Sequence, residues 1–530
     1  MSVSPEERPA GSRRWPLLAS AVLSPLVFLA LFEALLFAVG FGGPEPLFRP
    51  VEARPGWLEP NPGVLRRYFP TRAPTIAPET APFPAAKADG TLRLVVQGGS
   101  TAAGFPYGRF AGMAEMLAER FEASFPERRV EIVSAAMAAV NSYTLLDCVD
   151  EILAIEPDAV LIQAGHNEYL GVLGVGSGLT EKRSRAATLL HLRLRRFRVY
   201  QYLQALIAGA RDALADDAPA ALGKRARHLM ARAASGAEIP HDSAVHREGL
   251  AQFEANLSEI LARYAEAGVP VFVGTPVSNE KDQPPFASDP GDDGAAAWFA
   301  RGRAALAAGD AASARRAFRQ ARDRDRLPFR APAAFEDVVR RLAAEHGATV
   351  VEVQARFAAA SPDGLVGDEL LLEHVHPNAD GYFLLADAFW QALGRFTQGD
   401  ARPPGEARRD APITPVDRVL GDYAVRELEA GFPFVKEPVP VQLPAPSTPV
   451  ERIAWRRHHG ETSWLESMEE LLQLQLAGNA TRDAAVTARV AARAFPFEPT
   501  IQQTTGRLYR RLGRDAQARR YLAPARGPGS

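Results

Sequence analysis

Short apolar runs alternate with stretches of helical periodicity between residues 91 and 398. The runs LRLVVQG, VEIVSAAM, DAVLIQAG, VPVFVGTP and ATVVEV have the length and β-branched content of buried strands. Apolar residues at helical spacing separate them, for example in FAGMAEMLAERFEASF and FEANLSEILARYAEAG. Strands that alternate with helices form a parallel sheet covered on both faces. The pattern therefore predicts an α/β domain whose ligand site lies outside the carboxyl ends of the strands.

Two stretches interrupt this alternation and predict helical insertions. Residues 175–240 contain the basic, aromatic segment LLHLRLRRFRVYQYLQAL, which is typical of an amphipathic cap; a lid or an element on a membrane surface is the alternative. Residues 295–325 predict two short helices whose small and aromatic residues are spaced as in one tetratricopeptide repeat. Because one such repeat cannot bury its own apolar face, it must pack on the main domain or on a partner.

The chain changes character after residue 398. Residues 399–460 are rich in proline, as in VKEPVPVQLPAPSTP, and predict a connector. Residues 461–525 again show helix pairs with small residues at repeat spacing, which predicts a C-terminal tetratricopeptide-like region. These helices are a candidate surface for a protein partner.

The N-terminal region is strongly apolar. Between Trp15 and Gly43 the only charged residue is Glu33, and the run is long enough for a helix that crosses a bilayer. We therefore predict a single-pass transmembrane anchor over residues 15–40, through which the protein contacts the membrane. A cleaved signal peptide is the alternative, because Ala38-Val39-Gly40 has the small residues of a cleavage site.

The charges beside the anchor predict its orientation. Arg13 and Arg14 directly precede the apolar run, which places residues 1–14 in the cytoplasm by the positive-inside rule. The main domain is then expected in the periplasm or outside the cell. Residues 41–90 are rich in Pro, Ala and Arg with little periodicity, and predict a linker or an irregular wrapping segment.

Composition excludes several classes of protein. The chain of 530 residues carries a formal net charge of -2, so its overall charge does not favour nucleic acid as a partner. The one cysteine, Cys148, excludes an intrachain disulfide, and its helical surroundings predict a small buried hydrophobe. No Cys/His cluster has the spacing of a zinc site, so we predict no metal site.

Three short motifs carry candidate chemistry, each at the end of a predicted strand or just before a predicted helix. In Gly98-Gly99-Ser100, glycine allows a sharp turn that places the serine hydroxyl above the sheet. In Gly165-His166-Asn167, the asparagine amide can donate to a developing oxyanion. In the third motif, Glu373 precedes His376 by three residues and can orient its imidazole.

In this order the motifs resemble the SGNH/GDSL hydrolase family, over roughly residues 90–395. The resemblance implies a flavodoxin-like three-layer α/β fold, to which the helical insertions, the N-terminal helix and the C-terminal helical region are added. It implies that Ser100 is the nucleophile, His376 the base and Glu373 the residue that orients the base. It also implies an oxyanion hole made by Ser100, Ala136 and Asn167. The family usually has glycine in place of Ala136 and aspartate in place of Glu373.

Further residues are candidates for the substrate pocket. His166 adjoins Asn167, Asn279 and Lys281 follow a predicted strand, and Arg330 could bind a substrate anion or form a surface salt bridge. His374 is the alternative base, although on an extended loop it faces away from His376.

The implied activity is acyl transfer through a covalent serine ester. We expect a membrane-anchored esterase, or an acyltransferase with the same triad, that acts on an acylated glycan or a lipid ester without a cofactor. The alternative is an inactive SGNH-like domain that acts with the tetratricopeptide-like helices as a scaffold for partner proteins.

Overall fold

The computed structural model describes residues 14–68, 81–107, 111–178, 184–214, 238–399 and 401–522. Residues 1–13 of the predicted cytoplasmic segment lie outside this range, as do parts of the predicted insertion 175–240. The helices, in chain order, are α1 Arg14–Ala38, α2 Ser100–Ala103, α3 Met113–Ser124, α4 Ser142–Asp147, α5 Val149–Leu153, α6 Arg185–Leu194, α7 Arg198–Leu214, α8 Ala244–Glu266, α9 Ala295–Ala307, α10 Ala311–Asp323, α11 Ala333–His346, α12 Val353–Ala360, α13 Ala379–Ala392, α14 Pro404–Arg409, α15 Pro415–Glu429, α16 Pro449–His458, α17 Trp464–Ala477, α18 Thr481–Ala494, α19 Pro499–Arg511 and α20 Asp515–Leu522.

Two sheets are present in the described residues. The first is a small antiparallel sheet of β1 Phe48–Pro50, β2 Trp57–Pro60 and β3 Phe83–Pro84. The second is parallel and contains β4 Leu92–Gly98, β5 Val130–Ser134, β6 Ala159–Gln163, β7 Val271–Gly274 and β8 Thr349–Val351. Its spatial order, β5-β4-β6-β7-β8, is the flavodoxin-like order. The predicted parallel α/β sheet is therefore confirmed.

Helices cover both faces of the parallel sheet and make three layers. Neighbouring residues of β4 point to opposite faces, so that Val95 belongs to one apolar cluster while Leu94 and Val96 belong to the other. The first cluster includes residues of α4, α5, α8 and α11, and the second includes residues of α3, α12 and α13. Because both faces are buried, the strands read as continuous apolar runs in the sequence.

Residues 41–90, predicted as a linker or wrapping segment, pack on this domain where they are described. Leu47, Val64 and Leu65 are almost fully buried and join the same apolar cluster as Val95. Arg67 forms salt bridges with Asp147 and Glu151. The strands of this segment have only two to four residues, which is too short for a visible hydrophobic period.

The predicted anchor coincides with α1, and α1 packs against α7. The carboxylate of Glu33 accepts the backbone N–H groups of Arg198 and Val199, both at 2.9 Å, and so caps the first turn of α7. This contact accounts for an acidic residue within an apolar run. Among the described residues, no helix meets the length and apolarity that crossing a membrane requires.

The predicted connector 399–460 is partly helical, because it contains α14, α15 and α16. Its irregular part, 430–448, places Phe434 against Phe286 and His374, with ring centroids 5.1 and 5.4 Å apart. A connector rich in proline thus packs beside one of the three motifs.

Antiparallel helical hairpins form both predicted repeat-like regions. In the insertion, Phe299 of α9 contacts Phe318 of α10, with ring centroids 5.3 Å apart. In the C-terminal region, α17 to α20 follow one another as helical hairpins and bond to α3, where Tyr521 donates to Glu122 at 2.6 Å and Arg493 pairs with Glu115. The tetratricopeptide character of these hairpins stays a prediction.

Candidate active site

The serine motif lies where β4 ends. Gly98 packs so closely on β6 that a Cβ there would lie 2.1 Å from the Gln163 carbonyl oxygen, so only glycine fits. Gly99 is the N-cap of α2, and Ser100 is the first residue of that short helix. The turn therefore holds the Ser100 side chain at the carboxyl edge of the sheet.

His376 reaches the same edge from the loop that precedes α13. An antiparallel bridge pairs Leu371 with Pro377, and the backbone N–H of Leu372 donates to the His376 carbonyl at 2.8 Å. Asn378 then caps α13 through the N–H groups of residues 380 and 381. In this tight loop, His376 Nε2 lies 2.7 Å from Ser100 Oγ, which is within hydrogen-bond reach for proton transfer.

Glu373 holds the base from within the loop. One carboxylate oxygen, Oε1, accepts the backbone N–H of His376 at 2.9 Å and contacts His376 Nδ1. With Nδ1 donating to the carboxylate, Nε2 is left as the acceptor for the Ser100 hydroxyl. The side chains of Glu373, His376 and Ser100 are thus linked in sequence, which is the arrangement that the predicted roles require.

The second oxygen of Glu373, Oε2, contacts Nδ1 of His374. His374 is buried and its ring lies among Phe286, Phe329 and Phe434. His374 therefore contacts the carboxylate of Glu373, whereas His376 contacts both this carboxylate and the Ser100 hydroxyl. This contact fixes a glutamate side chain that is one methylene longer than the aspartate usual in the resembled family.

Burial sets the charge state of the base. It lowers the pKa of His376 to about 3, well below the ordinary value for histidine. The imidazole is therefore neutral at pH 7 and can accept the serine proton. The adjacent Glu373 carboxylate favours the imidazolium as it forms, so the carboxylate opposes the effect of burial during the reaction.

Asn167 lies beside the serine turn. A Cβ on Gly99 would lie 3.2 Å from Asn167 Nδ2, and this amide donates to the Val140 carbonyl at 3.0 Å. The next residue, Glu168, accepts the N–H and hydroxyl of Ser142 at 2.8 and 2.7 Å and anchors the loop to α4. The predicted oxyanion donor is therefore positioned by a second buried carboxylate.

The structure corrects the prediction for Ala136. This residue is fully buried, and its N–H lies 3.4 Å from Ser134 Oγ rather than at the cleft. The residue of this loop with positive φ is Ala139, at +61°, and its neighbour Val140 lines the cleft. The sequence did not predict the left-handed backbone at Ala139, because residues other than glycine rarely adopt it.

Three of the four predicted pocket residues brace a loop and do not line the cleft. Arg330, which is 2% exposed, donates to the carbonyls of Asn279 and Gln283 and pairs with Asp325, so it is neither a substrate ligand nor a surface residue. The remaining two pair with acids of another loop, Asn279 with Asp368 and Lys281 with Glu369.

His166, the fourth predicted pocket residue, does line the cleft. Its Nδ1 accepts the N–H of Ala331 at 3.2 Å, and burial lowers its pKa to about 3, with a contribution from His376. His166 is therefore a neutral, polar wall residue. The cleft is lined by Gly99, Ser100, Thr101, Val140, Gln163, Ala164, Gly165, His166 and Asn167.

Comparison with known proteins gives one family. The model of the GDSL-like Lipase/Acylhydrolase family matches residues 96–384, more than half of the chain. This range contains Ser100, Asn167, Glu373 and His376. A search of curated proteins found no match.

Solved structures of esterases are similar to this chain. Acetylxylan esterase Axe2 from Geobacillus stearothermophilus has 16% identity and a TM-score of 0.30, over 57% of this chain and 94% of its own. A lipase/acylhydrolase from Enterococcus faecalis has 14% identity and a TM-score of 0.30, over 59% of this chain and 100% of its own. The acetyl xylan esterase AlAXEase has 13% identity and a TM-score of 0.31, over 57% of this chain and 100% of its own.

Glu373→Gln tests the orienting carboxylate. We expect kcat for an ester to fall by about 10³- to 10⁴-fold, because the amide favours the wrong imidazole tautomer and gives the imidazolium no charge partner. In the wild type, kcat/KM falls as the pH drops through the pKa of His376, so the midpoint of the acid limb lies below about 6.5. Loss of the carboxylate moves that midpoint further toward acid.

Glu352→Gln is the matched control, because Glu352 forms a half-exposed ion pair with Arg340. It leaves kcat and the pH profile unchanged. A Glu373→Gln enzyme with kcat within tenfold of wild type would contradict the assigned role.

Proposed function

Because this chain belongs to the GDSL-like lipase/acylhydrolase family and is a hydrolase that acts on ester bonds, we propose that it cleaves a small acyl ester through a covalent acyl-serine on Ser100. The observation that carries this proposal is the aligned set of Ser100, His376 and Glu373, with 2.7 Å between the serine hydroxyl and the imidazole. The neutral imidazole and the buried carboxylate match the requirements of nucleophilic catalysis.

The geometry supports a two-step reaction. Ser100 Oγ attacks the ester carbonyl carbon while His376 Nε2 takes the hydroxyl proton. The carbonyl oxygen becomes an oxyanion, for which the Ser100 N–H and the Asn167 amide are the nearby donors. Collapse of this intermediate breaks the bond to the alcohol, which leaves with the proton from His376. Water then attacks the acyl-serine with the same proton transfers, releasing the acid and free serine.

The cleft favours a small acyl group. The free space beside Ser100 is narrow, and its walls include glycine backbone, Asn167 and His166. A long fatty acyl chain needs an apolar channel. We therefore favour an O-acyl group on a glycan over a long-chain lipid ester. Transfer to an alcohol acceptor instead of water uses the same acyl-serine, so the acceptor decides between esterase and acyltransferase.

We also propose that α1 attaches the protein to a membrane, with the main domain outside the cytoplasm. In support, α1 exposes large apolar side chains such as Phe28, Leu31 and Phe37, each at 66–70% relative exposure. The α7 helix adds Leu206 and Ile207 beside it. The Glu33 carboxylate is occupied by α7, so it does not need water in this arrangement.

The scaffold alternative is less favoured, because an inactive domain has no need for an assembled triad. The helical hairpins at the C-terminus remain a candidate surface for a protein partner, although their residues Arg493 and Tyr521 are already bonded to α3.

Ser100→Ala tests the nucleophile. We expect it to abolish labelling by a fluorophosphonate and to lower kcat for an aryl acetate by about 10⁶-fold, as for loss of a catalytic serine. Ser313→Ala, on α10 and outside the cleft, is the matched control and keeps both signals. Labelling that persisted in Ser100→Ala would assign the nucleophile elsewhere.

A series of aryl esters tests the acyl group. We expect kcat/KM to fall from acetate to octanoate by at least about tenfold, because each added methylene must leave the small cleft or displace its walls. An enzyme that prefers octanoate would contradict the small-acyl proposal while leaving the serine mechanism intact.

Deletion of residues 1–43 tests membrane attachment. We expect the full chain in the membrane pellet after high-speed centrifugation and the shortened chain in the supernatant, because burial of exposed apolar side chains in lipid supplies the binding free energy. Deletion of residues 523–530 is the control and does not change the distribution. A full chain that stays in the supernatant would contradict the proposal.

A further inference from the structure

A cluster of metal-ligating side chains lies outside the serine site, at residues 241–246. His241, Asp242 and His246 each offer one ligand atom, and these atoms lie within 4.8 Å of one another. The cluster forms where the chain enters α8. Ser243 is the N-cap, and its hydroxyl accepts the backbone N–H of His246 at 3.1 Å, so His246 occupies the first turn of the helix.

Both imidazoles of the cluster have a buried nitrogen whose hydrogen-bonding capacity is unused. Within the described part of the chain, Nδ1 of His241 and Nε2 of His246 have no hydrogen-bond partner. His246 is only 7% exposed, and the two ring centroids are 5.0 Å apart. Buried polar atoms in native proteins are nearly always bonded, and an exception calls for an explanation such as an ion.

Packing holds the His246 ring in place. The ring stacks on Tyr169, with centroids 5.4 Å apart and an angle of 17° between the planes. The Tyr169 hydroxyl donates to the His246 carbonyl at 3.1 Å. A ligand side chain that is already fixed loses little conformational freedom when an ion binds. Asp242, by contrast, is exposed and leaves the cluster open to solvent.

The donor set indicates the class of ion. Two imidazoles and one carboxylate are the protein ligands of zinc sites that keep a further position for water. Calcium and magnesium prefer oxygen ligands only.

We propose that His241, Asp242 and His246 bind one divalent ion of the zinc class, with water completing its coordination. The ion joins the segment that precedes α8 to the first turn of that helix. Through the stacked Tyr169 it also supports the loop that carries Asn167, two residues earlier. The site is separate from the serine site, because none of its three ligands lines the cleft at Ser100.

The catalytic loop offers a competing set of ligands, since Glu373, His374 and His376 also lie close enough to share an ion. The experiment must separate the two clusters. The full chain, stripped with a chelator, is titrated with Zn²⁺ alone by calorimetry and with Co²⁺ alone by absorption spectroscopy. We expect one ion per chain and the visible bands of low-coordinate cobalt.

His241→Ala and Asp242→Ala are the test variants, because both side chains are at least partly exposed and the buried His246 is left in place. We expect each to weaken Zn²⁺ binding by at least about 100-fold, the upper end of losses seen for changes outside the ligand shell. His459→Ala is the matched control, because this histidine also adjoins another, with ring centroids 5.2 Å apart. We expect His459→Ala to bind Zn²⁺ with the affinity of the wild type.

Thermal unfolding gives a second readout, because an ion that binds only the folded chain raises the unfolding temperature. We expect Zn²⁺ to raise it in the wild type and in His459→Ala, and not in Asp242→Ala. Fluorophosphonate labelling of Ser100 confirms that each variant is folded. No binding by the wild type, or binding that is unchanged in both test variants, would overturn the proposal; the second result would place the ion outside this cluster.

Discussion

The hydrogen bond between Ser100 and His376 joins residues 276 positions apart, and it forms because the fold of the domain brings their two loops together. A parallel sheet brings the carboxyl ends of its strands to one edge, so the serine after β4 and the asparagine after β6 meet there. The approach of β4 to β6 is close enough that Gly98 has no room for a Cβ beside the Gln163 carbonyl. Strand spacing thus fixes where the nucleophile lies.

Burial then determines the chemistry of the site. Glu373 is bonded to the imidazole and the backbone N–H of His376, contacts the His374 ring and is buried. In such surroundings a charged hydrogen bond is stronger than in water, and an unpaired charge is more costly. Burial lowers the pKa of His376 and so keeps its imidazole neutral, ready to accept the serine proton. The loops around them are fixed by other buried ions, among them Arg330 with its two carbonyl acceptors.

The sequence alone predicted the sheet, its helical cover and the three motifs of the site. The sheet and its helical cover are confirmed, because their signals are local: a buried strand is a short apolar run, a sharp turn needs glycine, and a helix start shows its cap at Asn378. The order of the motifs resembles that of the SGNH/GDSL family, and this resemblance implied the roles of Ser100, Glu373 and His376. The helical insertions were also visible, because amphipathic periodicity does not depend on what a helix packs against.

Only the tertiary structure decided which nearby residues belong to the site. Arg330 and Asn279 carry suitable polar groups, yet they bond to loop groups, such as the Gln283 carbonyl and Asp368, and no local pattern predicts these contacts. Ala136 is fully buried and its N–H lies near the Ser134 hydroxyl, a placement that the sequence of this loop does not indicate. His241 and His246 lack the spacing of a familiar metal motif, and they meet because a helix begins between them. Local chemistry determines elements and motifs, whereas contacts between distant segments determine which side chains share one environment.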